Sequence, residues 1–319
     1  MLEQGFYAAE ADGLRRNPCV RSVCATNELA DVRAAKVDGI VTYFYSHSAA
    51  VGSIAKARRI PAVATGGCEQ LIRGEDTPTC TFAARVAAFH ACTLVMRRLL
   101  ATSTTDFERM REVAWFNRNR IERSFHGVAA VENASPGHFK HPRPPASLIT
   151  IAGLDTELNV RRKGVLEAVD LLARFHVQDP SASLTIIGRT TCRDMVVAHA
   201  RTRGIVDLVR FTGYVTEEQK LDLLHGARFY VQLSDYEGFG IGALEALAHG
   251  CEVIHTNVGG LRDTIGDYGL IVPRGAVERF DPSTIPDYAP PDWARFSAHL
   301  AQFDVTRRAD TIMHALGLA

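Results

Sequence analysis

Two carboxylates, Glu237 and Glu245, stand eight residues apart in Ser234-Asp-Tyr-Glu-Gly-Phe-Gly-Ile-Gly-Ala-Leu-Glu-Ala-Leu-Ala-His-Gly250. Between them lie Gly238, Phe239, Gly240, Ile241 and Gly242. Small residues let a ligand come close to the backbone, and the free N–H groups of a helix start attract anions. A carboxylate beside a phosphate would repel it, so the two acids are better suited to accept hydrogen bonds from hydroxyls. Hydroxyls at both ends of an extended ligand and an anion in its middle describe a nucleotide-sugar. The same residues would also serve a plainer role, as a glycine-rich turn into a buried helix.

The elements around this stretch are legible. Ala227-Arg-Phe-Tyr-Val-Gln-Leu233 predicts a strand that feeds the loop. Ile241, Leu244, Leu247 and Ala248 recur at helical spacing, so a helix is expected to open near Gly240 and stop at Gly250. A second constellation, Gly153-Leu-Asp-Thr-Glu-Leu-Asn-Val-Arg-Arg-Lys-Gly164, lies between a predicted strand and a predicted helix. Its cations suit phosphate, Arg as a bidentate fork and Lys as a point charge. Arg161 or Arg162 could act beside Lys163, with Arg162 preferred.

Composition excludes several classes. The 319 residues carry 36 basic and 36 acidic side chains, so no global field recruits nucleic acid or an anionic membrane. A hydrophobic content of 46% and a charged content of 23% are those of a soluble globular protein. The seven cysteines are scattered and form no CxxC pair, which favours reduced thiols in a cytoplasmic protein over disulfides or a zinc site. The first residues lack the basic and apolar regions of a signal peptide. The longest apolar stretch, Phe82 to Met96, is interrupted by Arg85 and His90, so any membrane association is expected to be at most peripheral. No Asp-x-Asp motif or His/Cys cluster offers a metal site, and neither a metal nor another cofactor is expected.

Along the chain, helix and strand patterns alternate in the manner of parallel sheets with crossover helices. Helices are expected at Phe6–Arg16, Leu29–Val37, Ala49–Arg59 (capped by Ser46 or Ser48), Phe82–Arg97 and from Thr105. Strands are expected at Val20–Thr26, Ile40–Tyr45, Pro61–Thr65, Leu99–Thr102 and Val128–Val131. His138 to Pro145 holds three prolines and is read as the domain break. A second β/α series runs from Leu148 to His255. Pro282 to Pro291 reads as a tether, and helices follow from Trp293. The divisions are 1–143, 144–290 and 291–319.

Glu237-Gly-Phe-Gly-Ile-Gly-Ala-Leu-Glu245 resembles the Glu-x7-Glu signature of the retaining glycosyltransferases of family 4, glycosyl transferases group 1. The resemblance continues through Ala246 to Ile254, Val258-Gly-Gly-Leu-Arg-Asp263 and Gly269-Leu-Ile-Val-Pro273. It implies an α/β protein of GT-B fold, two Rossmann-like doubly wound domains facing an interdomain cleft. The first would be the acceptor side, the second would bind the nucleotide-sugar, and the closing helices would cross back to the first. The implied enzyme is a retaining hexosyltransferase that uses a nucleoside diphosphate sugar as co-substrate. Its acceptor would be a sugar, a lipid-linked sugar or another small molecule.

By the same resemblance, Glu237 would contact donor-sugar hydroxyls and stabilise positive charge at the anomeric centre. Gly238 to Ile241 would offer amides to the sugar and diphosphate, and Glu245 would accept from the ribose. Lys163 and an arginine would hold the diphosphate; Leu154 stands where the family has that arginine. Gly188 and the turn at Tyr214-Val215 match further strands of the family. On the acceptor side His47 follows a buried strand, as does a histidine loop of the family. Gly67 stands where many members have a histidine, so a backbone group would serve there. Asn133 matches a hinge segment and is read as a turn former. The family usually opens with a strand and a glycine-rich loop, so the resemblance implies a shortened first domain. Two other readings follow from that departure: a GT-B protein that binds a nucleotide or protein partner without catalysis, and a GT-B sugar-nucleotide epimerase.

Overall fold

The computed structural model describes residues 6–73, 77–139 and 143–319, without the side chains of Phe6, Ser46, His47 and Gln70. Two compact units divide the chain, one running to Ala129 and resuming over Ala301–Ala319, the other being Ala130–Leu300. The break precedes the proline-rich stretch at which the sequence was divided. The first unit includes the last helix.

The first unit holds α1 (Phe6–Arg16), α2 (Leu29–Ala34), β1 (Ile40–Tyr43), α3 (Tyr45–Ala57), β2 (Ala62–Gly66), α4 (Thr79–Val95), β3 (Arg98–Ala101), α5 (Thr104–Val113) and β4 (Ile121–Arg123). The four strands are parallel and lie in chain order, β1-β2-β3-β4. Right-handed crossovers in a sheet of that order fall on one face. There Ala55, Phe89, Met96, Leu99 and Met110 form one core cluster. The opposite face is covered by Leu14 of α1 and by Ile312, Met313 and Leu316 of the last helix, packed on Val63 and Leu100.

Three expectations for this unit differ from the structure. Val20–Thr26 makes no strand; Val20 and Val23 only pack against the cluster of the last helix, and the other residues there are largely exposed. Val128–Val131 lies instead at the helix α6 (Ala129–Glu132), as its two alanines favour, and the edge strand comes earlier as β4. The cap expected at Ser46 or Ser48 is displaced, because α3 begins at Tyr45 behind Phe44 with φ 66°; the Ser46 side chain lies outside the described residues. The Ser48 hydroxyl lies inside the helix, donates to the Phe44 carbonyl at 2.8 Å and accepts from Thr42 at 2.6 Å.

The second unit continues from α6 with β5 (Ser147–Ile151), α7 (Glu157–Arg162), α8 (Val165–Gln178), β6 (Ser183–Ile187), α9 (Arg193–Thr202), β7 (Val209–Gly213), α10 (Glu217–Gly226), β8 (Phe229–Gln232), α11 (Ile241–Ala248), β9 (Glu252–His255), α12 (Leu261–Thr264), β10 (Gly269–Ile271) and α13 (Trp293–Leu300). The chain closes with α14 (Val305–Leu316) in the first unit. The six parallel strands are ordered β10-β9-β8-β5-β6-β7. The order reverses between β5 and β8, and in such sheets ligands bind at the carboxyl ends flanking that point. α8 buries Val165, Ala168, Val169, Leu172 and Phe175 against this sheet. The expected tether packs onto the unit: Pro282 opens a short 3₁₀ turn capped by Asp281, Ile285 lies against the core, and Tyr288 donates to the Phe139 carbonyl at 3.2 Å. Among the described residues no helix is long and apolar enough to cross a membrane.

At the carboxyl ends of the first unit's strands lies a buried polar network that ties its two chain segments together. Arg308 of α14 donates to Glu10 at 2.9 Å, to the Ser124 carbonyl and hydroxyl at 3.0 and 2.6 Å, and to Thr65 at 2.6 Å. Glu10 also pairs with His126 at 2.6 Å and accepts from the Tyr43 hydroxyl at 2.6 Å. Burial alone would raise the Glu10 carboxyl, but Arg308 and His126 overcome it and hold the group at about 2 against an ordinary 4.5. The folded value lies below the unfolded one, so the stabilisation is complete above pH about 4.5 and lost as pH falls toward about 2. At about 1.4 kcal/mol per unit this amounts to roughly 3 kcal/mol. Denaturant midpoints of the parent should therefore fall through that window more steeply than those of Glu10→Gln. Parallel falls would remove Glu10 from the acid response.

Candidate functional site

The candidate site is built at the reversal of strand order in the second unit. β8 is buried on both faces and delivers Ser234 to Gly240 as a loop at its carboxyl end. β5 ends beside it and passes through residues 152–156 into α7, whose first turn is capped by Thr156 accepting from the Asn159 amide. α7 was not foreseen; Arg161 and Arg162 occupy its last turn, where cations suit the helix dipole. Lys163 closes α7, and Gly164 opens α8 with φ 65°. A Cβ at Gly164 would lie 1.9 Å from the Leu233 carbonyl oxygen, so only glycine lets the two loops meet this closely.

That meeting places the Lys163 ammonium 2.5 Å from the Glu237 carboxylate, with both side chains mostly buried. Gln232 of β8 also donates to Glu237, at 3.2 Å, and to the Ser234 hydroxyl, at 2.7 Å, while accepting from Tyr230 at 2.9 Å. Gln232 is 4% exposed. It was missed in the sequence, although an amide inside Phe-Tyr-Val-Gln-Leu is itself a signal, since a buried polar group needs a partner. Arg162 donates to the Tyr236 carbonyl at 3.3 Å and to Asn159 at 3.4 Å, and its own carbonyl accepts from the Asp235 amide at 2.8 Å. Arg162 thereby holds the loop that carries Glu237.

Gly240 takes φ 95° ahead of α11, and a Cβ there would meet Leu261 at 2.6 Å. The amides of Ile241 and Gly242 thus begin α11 with no side-chain cap. Phe239 is buried, and its carbonyl accepts from Thr264 at 3.3 Å. Glu245, in the second turn, pairs with Lys220 of α10 at 2.9 Å, and Lys220 also reaches Glu217 at 2.7 Å. Burial raises the Glu245 carboxyl, outweighing the pull of Lys220. Burial depresses Lys220, but Glu245 and Glu217 together lift it above its ordinary value. Lys220 was a further residue not foreseen, because it lies on a separate helix.

A loop from the next strand braces the glycines. The Gly260 amide donates to the Glu237 carbonyl at 2.8 Å, and a Cβ at Gly259, where φ is 53°, would lie 1.9 Å from that oxygen. Gly259→Ala is therefore expected to push Glu237 off its position. Carbon-13 resonances of Glu237, read against retained circular dichroism, check this, and unchanged resonances would show that the loop does not position Glu237.

Leu154 is fully buried, in the place of the expected arginine. Its amide bonds the Arg189 carbonyl at 2.9 Å, and the Arg189 guanidinium reaches Asp155 at 2.9 Å. Arg189 follows Gly188, lies over the Tyr214 ring at 5.6 Å from its centre, and donates to the Tyr214 hydroxyl. Tyr214 is 73% exposed. The acceptor-side candidates lie in the first unit. Gly67 follows β2 and lines a small hollow with Phe44, Tyr45, Cys68 and Glu69. His47 falls in α3, and its side chain is outside the described residues. Asn133 follows α6 in a turn, as expected.

Residues 157–281 match the family model described as Glycosyl transferases group 1. The chain is 36% identical over 131 residues to a glycogen synthase of Mycobacterium tuberculosis, covering 41% of this chain and 30% of that protein. It is 31% identical over 161 residues to the GDP-mannose:cellobiosyl-diphosphopolyprenol alpha-mannosyltransferase of Xanthomonas campestris, covering 49% and 39%. These matches span well under half the length of the curated relatives. Among solved structures, Anabaena HepE in complex with UDP and glucose superposes with a TM-score of 0.64 at 14% identity, covering 88% of this chain and 77% of that one. The lipopolysaccharide outer core galactosyltransferase WaaB gives 0.63 at 17% identity, covering 90% and 76%. The fold is that of the GT-B glycosyltransferases.

Proposed function

We propose that this chain is a glycosyltransferase that moves a hexosyl group from a nucleoside diphosphate sugar to an acceptor sugar, lipid-linked sugar or other small molecule, with retention of anomeric configuration. The observation that carries the reading is the contact between Lys163 and Glu237 at the reversal of strand order, 2.5 Å across two loops that only glycines allow to touch. The family match over residues 157–281 supports it, since it contains both residues.

In this reading the donor replaces the internal ion pair with two better matches. Its diphosphate takes Lys163, and a sugar hydroxyl donates to Glu237. The amides at the start of α11 face the anion, and the positive end of the helix dipole favours it. As the glycosidic bond breaks, charge grows on the leaving diphosphate, where Lys163 meets it, and positive charge grows on the sugar, where Glu237 meets it. Arg189 is the candidate second cation in place of Leu154, while Arg162 keeps the Glu237 loop in register. Glu245, already held by Lys220, accepts from the ribose. No metal enters this scheme. We place the reaction in the cytoplasm, where nucleotide sugars are available to a chain with reduced thiols.

Binding of nucleoside diphosphates tests the donor half apart from turnover. A charge-assisted hydrogen bond contributes about 1.5–3 kcal/mol. Lys163→Ala is therefore expected to weaken the affinity of the cognate diphosphate by roughly ten- to a hundredfold in calorimetric titration. Equal affinity in parent and variant would exclude Lys163 from the diphosphate site.

A further inference from the structure

At the amino-terminal ends of the second unit's central strands, three histidines from separate segments converge. His138 precedes β5, His225 stands in the last turn of α10 just before β8, and His249 follows α11 just before β9. All three therefore lie toward the amino ends of β5, β8 and β9, at the end of the sheet opposite the Glu237 loop that follows β8. His225 Nε2 and His249 Nδ1 are 3.1 Å apart, and the His138 ring stacks on His249 with centres 4.8 Å apart at 29°. One nitrogen from each residue falls within 4.8 Å of the others.

We propose that His138, His225 and His249 form a site for a divalent transition cation of the zinc class, with water completing the shell. Two imidazole nitrogens bound to zinc at about 2.0–2.1 Å in tetrahedral geometry lie roughly 3.3 Å apart, close to the His225–His249 separation. The remaining gap closes by rotation of side chains at the rim, where His225 is exposed. His138 Nδ1 faces the Ala248 carbonyl at 3.3 Å. That contact protonates Nδ1 and leaves the Nε2 lone pair for a metal, the arrangement usual for metal-bound histidine. The carboxyl ends of α10 and α11 point toward the cluster, and their dipoles favour a cation.

Among the described residues, Arg143 and Lys220 are cations close enough to oppose a positive ion beside His249. The Arg143 guanidinium donates to the carbonyls of Leu224, Ala227, His138 and His249, at 3.1, 2.7, 3.1 and 2.6 Å. It pins all three histidine-bearing segments together, and it also repels a cation. The site therefore favours ions with strong imidazole affinity and discriminates against calcium and magnesium, which prefer oxygen ligands.

Zinc titration of the chelator-treated full chain tests this, read by calorimetry and by unfolding temperature, with cobalt absorption as a probe of tetrahedral nitrogen coordination. One ion per chain is expected, with a raised unfolding temperature in the parent. His225→Ala, an exposed position, should bind at least about tenfold more weakly and lose the thermal shift. His138→Ala provides a second variant with the same expectation. Failure of the parent to bind zinc, or equal binding in both variants, would overturn the site.

Discussion

Glu237→Gln is expected to lower turnover of the cognate nucleotide sugar by about a hundred- to a thousandfold, the usual effect of removing one preorganised electrostatic contact from a transition state. The amide keeps the shape of the side chain and can still bond Gln232, so folding and nucleoside diphosphate affinity should survive. The discriminating feature is the split between steps: kcat falls, while diphosphate binding stays within about threefold of the parent. Lys163→Ala should show the other pattern, since in the proposed scheme Lys163 acts on the diphosphate both before and during bond breaking. If Glu237→Gln keeps parental turnover, Glu237 has no part in the chemistry, and the Lys163 pair is structural.

Arg308→Met is expected to destabilise the first unit by about 3–5 kcal/mol, because removing one partner of a buried ion pair strands the rest. Arg308 is 2% exposed and serves Glu10, Ser124 and Thr65 together. Methionine fills the volume but leaves those acceptors unmet and weakens the hold on Glu10. Calorimetry of parent and variant would show the first unit's transition moving down in temperature, with the second unit's transition unchanged. A loss below about 1 kcal/mol would mean that water replaces the guanidinium at little cost. Glu10→Gln alone should be milder, since Arg308 keeps its bonds to Ser124 and Thr65.

The Lys163–Glu237 site was legible in the sequence because its residues lie on two short stretches with local signals. Glycines 238 and 240 marked a loop, the spacing of Ile241, Leu244 and Leu247 marked α11, and Lys163-Gly164 marked the opening of α8. What escaped was contact between distant segments. Gln232 was hidden inside an apolar strand, and Lys220 sits on a helix with no other reason to be singled out. The Arg308–Glu10 pair joins positions 298 residues apart, which no local pattern encodes. The histidine cluster escaped for the same reason, its members coming from three segments of the second unit. The misread strands have a local cause: Val20–Thr26 and Val128–Val131 have β-forming valines, but no sheet neighbour stands beside the first and alanines draw the second into a helix.

Retaining transfer by this chain is tested most directly by nuclear magnetic resonance of the purified protein with a panel of nucleoside diphosphate sugars and simple sugar acceptors. One donor is expected to be consumed with release of nucleoside diphosphate, the product carrying the donor's anomeric configuration, and Glu237→Gln is expected to be nearly inert. Binding of nucleotide without consumption of any donor, or a product of inverted configuration, would contradict retaining transfer.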